Sequence, residues 1–172
     1  MPSNKSASKS FAQRLNAITF VILDIDGVLT DGRIIYGSDG TEYKNFDAHD
    51  GYGITRAIAL GLKFASISGR TSAVTAMRMN MLGIKETYQN QMDKVKIYRK
   101  LKKKYKLDAD EICYIGDDEF DIPLLSLVGV SAAPRDAMVN VRKTVNYVTK
   151  QNGGRGAVRE LVDMILKAKK LL

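Results

Sequence analysis

The 172 residues suffice to bury a core without staples, and 45% hydrophobic against 27% charged is an ordinary globular balance. No apolar run approaches the roughly 20 residues of a membrane helix, and the Lys/Ser-rich stretch 1–10 lacks the apolar segment of a secretory signal. The single cysteine, Cys113, excludes an internal disulfide; its apolar surroundings imply a buried thiol, and the expected compartment is the cytoplasm.

In chain order, residues 1–10 are expected to be a disordered lead-in and 11–172 a single domain. Short apolar runs predict strands at 18–23, 62–67, 86–88, 112–115, 128–131 and 145–148. Helical periodicity falls between them at 52–60, 72–82, 94–105, 122–126 and 137–141, with a last helix over 157–169. Strands alternating with helices predict an α/β fold, a doubly wound parallel sheet covered on both faces. One segment breaks the rhythm. Residues 33–36 and 42–46 flank Gly37-Ser38-Asp39-Gly40 and read as a β-hairpin inserted after the first strand. An isolated hairpin is marginal in water, so this one should pack on something, another subunit being one candidate.

The net charge of +8 raises the question of nucleic acid. Eight of the thirteen residues from Lys94 to Lys106 are Lys or Arg, yet Val95, Tyr98, Leu101 and Tyr105 recur among them at helical spacing. That pattern is an amphipathic helix with a solvated basic face. No zinc-finger spacing or aromatic RNA-binding signature accompanies it, so neither nucleic acid nor membrane is an expected partner.

Three predicted strands end in polar residues with a shared chemistry. They are Asp24-Ile25-Asp26-Gly27, Ser68-Gly69-Arg70, and Gly116-Asp117-Asp118-Glu119-Phe120-Asp121. In open α/β sheets ligands bind beyond the carboxyl ends of the strands. An acidic cluster there needs a positive partner, and hard oxygen ligands suit magnesium. Asp24 and Asp26, two apart, can face the same space. One carboxylate can attack phosphorus while its neighbour protonates the leaving oxygen and later deprotonates water. Asp117 completes the metal site, and Ser68 with Lys94, which opens the basic helix, binds the remaining phosphate oxygens.

Asp-x-Asp-Gly-x-x-Thr, Ser-Gly-Arg, a lysine, and Gly-Asp-Asp-x-x-Asp, in that order at strand ends, resemble the four motifs of the haloacid dehalogenase-like superfamily. The resemblance implies Asp24 as nucleophile and Asp26 as general acid/base. It also implies magnesium held by Asp24, the Asp26 carbonyl and Asp117, with Asp118 and Asp121 as outer supports; Asp118 reads equally as an N-cap. With only about 40 residues between the first two motifs, the chain lacks room for a large cap domain.

Three stretches, 44–54, 68–70 and 153–160, resemble one capless subfamily, the 3-deoxy-D-manno-octulosonate 8-phosphate phosphatases, over 18–169. That subfamily implies a homotetramer with hairpins at its centre and a glycine-rich C-terminal segment reaching a neighbouring site, where Arg155 is the candidate contact. It implies a sugar-phosphate substrate on the way to lipopolysaccharide, bound by Asp26, Asp47, Ala48, His49, Asp50, Gly51, Arg70, Arg78 and Lys94. Arg70 suits a carboxylate-gripping role. His49 and Arg78 read equally as an exposed loop histidine and a surface helix residue.

Two positions depart from the subfamily. Thr55 stands where arginine is frequent, and Arg56, one place on, is turned by about 100° on a helix. Asn90 stands where glycine is common, which asparagine tolerates. The competing readings are a phosphatase for a nine-carbon sialic-type 9-phosphate, whose relatives tend to carry an acid at the position of Arg70, and a non-catalytic assembly module. The four chemical residues Asp24, Asp26, Lys94 and Asp117 argue against the second.

Overall fold

The computed structural model describes residues 9–172. Ser10 is already structured. It caps a helix α1 (Phe11–Ala17) reciprocally, taking the Gln13 amide at 3.3 Å and donating its own N–H to Gln13 Oε1 at 2.8 Å. The expected lead-in over 1–10 is therefore shorter at its C-terminal end, and residues 1–8 lie outside the described residues.

The chain then runs through β1 (Phe20–Leu23), a hairpin β2 (Ile35–Tyr36) and β3 (Glu42–Tyr43), α2 (Ala48–Ala59), β4 (Lys63–Ile67), α3 (Ala73–Met81) and β5 (Glu86–Tyr88). It continues with α4 (Lys94–Tyr105), β6 (Ile112–Ile115), α5 (Ile122–Leu125), β7 (Val130–Ala133), α6 (Val139–Thr144), β8 (Tyr147–Val148) and α7 (Ala157–Ala168). Six strands form one parallel sheet in the order β5-β4-β1-β6-β7-β8, and β2 pairs antiparallel with β3 apart from it. The α/β architecture and the hairpin match the sequence expectation.

The period of two along each strand splits the core into two layers. On β1, Val21 and Leu23 join the layer of α1, α2 and α7, whereas Phe20 and Ile22 join that of α4, α5 and α6. Full burial of both faces explains why β1 and β6 read as unbroken apolar runs. Cys113 lies in the first layer, fully buried, and burial pushes its thiol well up, as an inert structural cysteine should be.

Of the boundaries that moved, two have a clear cause. β7 covers 130–133 rather than 128–131, because Ala132 and Ala133 are poor strand formers that nonetheless sit fully buried beside β6 and β8. α2 begins at Ala48 rather than 52, since Asp47 caps it by accepting the His49 and Asp50 amides at 2.6 and 3.3 Å. Gly51 and Gly53 disguised this turn by lowering its helix propensity.

α2 is joined to α7 by Asp50. The Gly156 N-cap of α7 has no side chain of its own, and Asp50 supplies the missing acceptor by taking the Gly156 amide at 3.2 Å and the Arg159 amide at 2.7 Å. A carboxylate there also meets the positive end of the helix. Burial pushes its carboxyl up to about 6 against the pull of those two donors. Asp50→Ala would leave both amides without this acceptor, and the expected cost is about 1–3 kcal/mol. A fall of several degrees in the melting midpoint reports it; an unchanged midpoint would refute the capping role.

Candidate active site

The strand order reverses at β1, which lies between β4 and β6, and the polar ends of these three strands meet there. Asp24 prolongs the β1 ladder through its amide, which donates to the Ile115 carbonyl at 3.0 Å. The chain then turns sharply, with the amides of Val28, Leu29 and Thr30 all directed to the Ile25 carbonyl. Gly27 has φ +93°, and a Cβ there would stand 2.0 Å from Asp117 Oδ2, so backbone and neighbour both demand glycine.

The resulting cavity, about 310 Å³, is lined by Asp24, Asp26, Ser68, Arg70, Asp117 and Asp118, with Gly32, Gly69, Met92 and Phe120. Lys94, at the first position of α4, enters from below. Its ammonium lies 2.8 Å from Asp24 Oδ1 and 2.6 Å from Asp121 Oδ1, with its side chain 1% exposed, and stands 4.4 Å from the Phe120 ring centroid. Burial alone would lower its pKa, yet the two carboxylates hold it above the ordinary lysine value.

Asp121 is a support. Oδ1 accepts from Lys94 and from the Tyr114 hydroxyl at 2.6 Å, and Oδ2 takes the amides of Asp117 and Asp118 at 3.0 and 3.2 Å. Asp118 Oδ1 takes the Glu119 amide at 2.6 Å, the N-cap geometry that its sequence position allowed. Ser68 is buried with its Oγ accepting the Arg70 amide at 3.1 Å.

The site is arranged for a cation. Carboxylate oxygens of Asp24, Asp117 and Asp121 lie within 4.8 Å of one another, and Asp117 Oδ1 is buried without a hydrogen-bond partner among the described residues. Burial, then the neighbouring charges of Asp24 and Asp121, pushes Asp117 up to about 9. Burial likewise lifts Asp24 to about 6, though Lys94 pulls it down. Such crowding is what a divalent ion relieves. Because the lone pairs of Asp121 are committed, Asp24 and Asp117 are the carboxylates free to ligate.

Not every expected residue converges here. Asp47, Ala48 and His49 line a separate cavity of about 440 Å³ with Asp31, Asn45, Phe46, Gly154 and Arg155. They form the cap and first turn of α2, not a free loop. Asp50 is spent on α7, and a Cβ on Gly51 would meet Arg78 Nη2 at 2.4 Å. Arg78 itself lies 5.7 Å from the Phe46 ring centroid with Nη2 toward the Asp47 carbonyl. It holds the start of α2, and within this chain it does not line the Asp24 cavity. Arg56 faces Asp163 of α7 and the Tyr52 ring, so it does not fill the place left by Thr55. Asn90 adopts φ +56°, the left-handed backbone that a glycine would take.

The hairpin touches the site by three contacts. Arg70 Nη2 donates to Tyr36 Oη at 3.0 Å and Glu42 Oε1 at 3.1 Å, while Lys44 is paired with Asp26 Oδ1. Glu42 and Lys44, like Tyr36, escaped notice in the sequence, because acids and lysines in short exposed strands usually only guard an edge. The glycine-rich segment reaches the turn after β1 within its own chain. Gly154 donates to the Val28 carbonyl at 2.9 Å, and a Cβ on Gly153 would stand 1.9 Å from the Gly27 oxygen. Residues 153–154 thus pack on the Asp26–Thr30 turn of their own chain.

Known proteins share this arrangement. Residues 64–161 match the family described as haloacid dehalogenase-like hydrolase. The 3-deoxy-D-manno-octulosonate 8-phosphate phosphatase KdsC of Yersinia pestis is 42% identical over 156 residues, covering 91% of this chain and 83% of the relative. The Haemophilus influenzae protein of the same name is 40% identical, covering 91% and 87%. A Moraxella catarrhalis phosphatase structure, in complex with magnesium ion, phosphate ion and KDO, superposes with TM-score 0.90 at 37% identity, covering 92% of this chain and 91% of that one. With its strand-end motifs in order around one cavity and relatives alike over nearly the whole chain, this protein belongs to the haloacid dehalogenase-like hydrolase family.

Proposed function

We propose that this chain is a magnesium-dependent phosphatase that hydrolyses 3-deoxy-D-manno-octulosonate 8-phosphate to the free sugar acid and phosphate, a step toward lipopolysaccharide. The observation that carries the chemistry is Asp24, buried at the end of β1 and paired with Lys94 in the cavity that Asp117 and Asp26 share. The substrate comes from relatives of that name at about 40% identity.

Asp24 attacks phosphorus as the bond to the sugar oxygen breaks, and Asp26 gives that oxygen its proton. Water then attacks the aspartyl phosphate, Asp26 takes its proton, and Asp24 leaves as carboxylate. Lys94 and Ser68 hold the phosphoryl oxygens, and Arg70 orients the sugar acid. Asp24, Asp117 and the Asp26 carbonyl would hold magnesium, which when bound neutralises charge on the transferring group. Asp118 and Asp121 brace the turn that carries Asp117.

The reading includes a homotetramer and a cytoplasmic location. Ile34, Tyr36 and Tyr43 leave the hairpin with an exposed apolar surface that neighbouring copies would cover. Asp47, Ala48, His49 and Gly51, turned away from their own Asp24 cavity, would then contact substrate in a neighbour's. Among the described residues no helix is long and apolar enough to cross a membrane.

Magnesium-dependent phosphate release, with kcat/KM compared between the eight-carbon 8-phosphate and a nine-carbon 9-phosphate, tests the assignment. A preference for the nine-carbon substrate, or no turnover of either, overturns it.

Metal removal has its own signature. Asp24 and Asp117 both have folded pKa values above the unfolded carboxylate value near 3.8. Their protonated forms therefore stabilise the metal-free fold below about pH 4, and that stability is lost as pH rises through about 6 and on toward 9. In EDTA the melting midpoint is expected to fall from about pH 5 to about pH 9, and the rise on adding magnesium to grow with pH. A magnesium effect of equal size at every pH contradicts this.

A further inference from the structure

We propose that Lys44 is a positioning residue for Asp26, fixing by one carboxylate oxygen the group that donates and recovers the proton. The inference rests on the acid/base role given to Asp26 above.

Lys44 follows β3 directly. In extended chain the period of two places Glu42 and Lys44 on one side and Tyr43 on the other. Tyr43 is 55% exposed, whereas the Lys44 side chain is 3% exposed. Glu42 meets Arg70 and Lys44 meets Asp26, so one face of a two-residue strand is matched in charge to two residues of the cavity wall. A buried ammonium is costly without a partner. Among the described residues its one hydrogen-bond and ion-pair partner is Asp26 Oδ1.

Asp26 needs such a partner. It lies in the turn after β1, outside the strand, and no other hydrogen bond engages its carboxylate among the described residues. Unlike Asp24, which is buried against Lys94, Asp26 is partly exposed at 22% and without Lys44 would have no partner to fix its rotamer. An ammonium N–H can donate to Oδ1 whether the carboxyl is ionised or neutral, and this leaves Oδ2 as the oxygen carrying the transferable proton. That proton passes from Oδ2 to the leaving oxygen as the P–O bond to the sugar breaks and the bond to Asp24 forms. In the second half, water adds to phosphorus, the bond to Asp24 breaks, and one water proton returns to Oδ2. Lys44 keeps its protons throughout; it aims the carboxyl.

A residue that acts through the general acid matters most when the leaving oxygen is a poor leaving group. Lys44→Met is therefore expected to lower kcat on the sugar phosphate by about 10²-fold, the cost of misplacing a reacting group by about 1 Å. KM should change little, and an aryl phosphate with an acidic phenol, which departs without protonation, should lose far less. Lys44→Arg, which keeps charge and donors, is expected to restore part of the loss, and it serves as second variant if Met at this buried position impairs folding. Glu42→Gln, which loosens the same strand at its other pair, should leave the leaving-group dependence unchanged.

Equal losses on sugar and aryl substrates in Lys44→Met, or no loss on either, overturn the proposal. Asp26→Asn separates this from the reading beneath it. If Asp26→Asn shows the leaving-group signature and Lys44→Met does not, Lys44 has no positioning role. If Asp26→Asn lacks the signature as well, it is the acid/base assignment that fails.

Discussion

Asp24→Asn is expected to lower kcat on the order of 10⁴-fold or more and to abolish the acid-stable covalent phosphoenzyme that rapid quenching traps from the native protein. The amide cannot attack phosphorus, and its nearest carboxylate neighbours are otherwise engaged: Asp121 is saturated by Lys94, Tyr114 and two amides, and Asp117 is the proposed partner of the metal. The fold should survive. An asparagine oxygen can still accept from Lys94, and one negative charge leaves a crowded acidic cluster. The metal-free melting midpoint should thus hold or rise, while the gain on adding magnesium shrinks because a ligand is gone. Residual turnover within about tenfold of native would remove Asp24 from the role of nucleophile.

Lys94→Met joins the largest loss of stability to a loss of catalysis. The ammonium is enclosed between Asp24 and Asp121 with its side chain 1% exposed, so deleting its charge strands two buried carboxylates. Breaking one partner from a buried pair costs about 3–5 kcal/mol, which for a chain of this length is a fall of roughly 6–20 °C. Activity should drop about 10²–10³-fold, as when one preorganised donor to a developing anion is lost. The stability deficit should narrow on acidification, because protonating Asp24 substitutes for the missing cation. Adding Asp121→Asn to Lys94→Met should recover part of the stability without recovering activity, a coupling that a double-mutant cycle measures. A Lys94→Met protein with native melting and native turnover would show that the lysine serves neither purpose.

How far the sequence could be read depended on which forces shaped each segment. β1 and β6 were plain because buried parallel strands leave unbroken apolar runs, and the polar residues that follow them carry the proposed chemistry. Lys94 was legible by its place at a helix start, although its dependence on Asp121 was not, since 27 residues separate them. α1 escaped notice although Ser10 and Gln13 spell a capping box, because the Lys/Ser-rich stretch before it masked the signal. The start of α2 was hidden by two glycines whose poor propensity is overridden by packing on Arg78 and Arg159. Lys44 could have been suspected only by noticing that it shares a face with Glu42, and that in turn required knowing where the hairpin lands.

The packing of Gly153 and Gly154 on the turn that follows Asp24 sets an order of events during synthesis. The turn lies within the first thirty residues of the chain and its support within the last twenty. The ribosome must deliver all the intervening chain before that loop can assume its final shape, so a nascent chain carries Asp24 long before Asp24 is housed. The contact is thus a closure of high sequence separation, made well after the turn itself is synthesised. Truncating the chain before Gly153 would take away the backing of the turn at Gly27 together with α7, whose buried apolar face covers one side of the sheet, so the turn and that core layer would be lost at once.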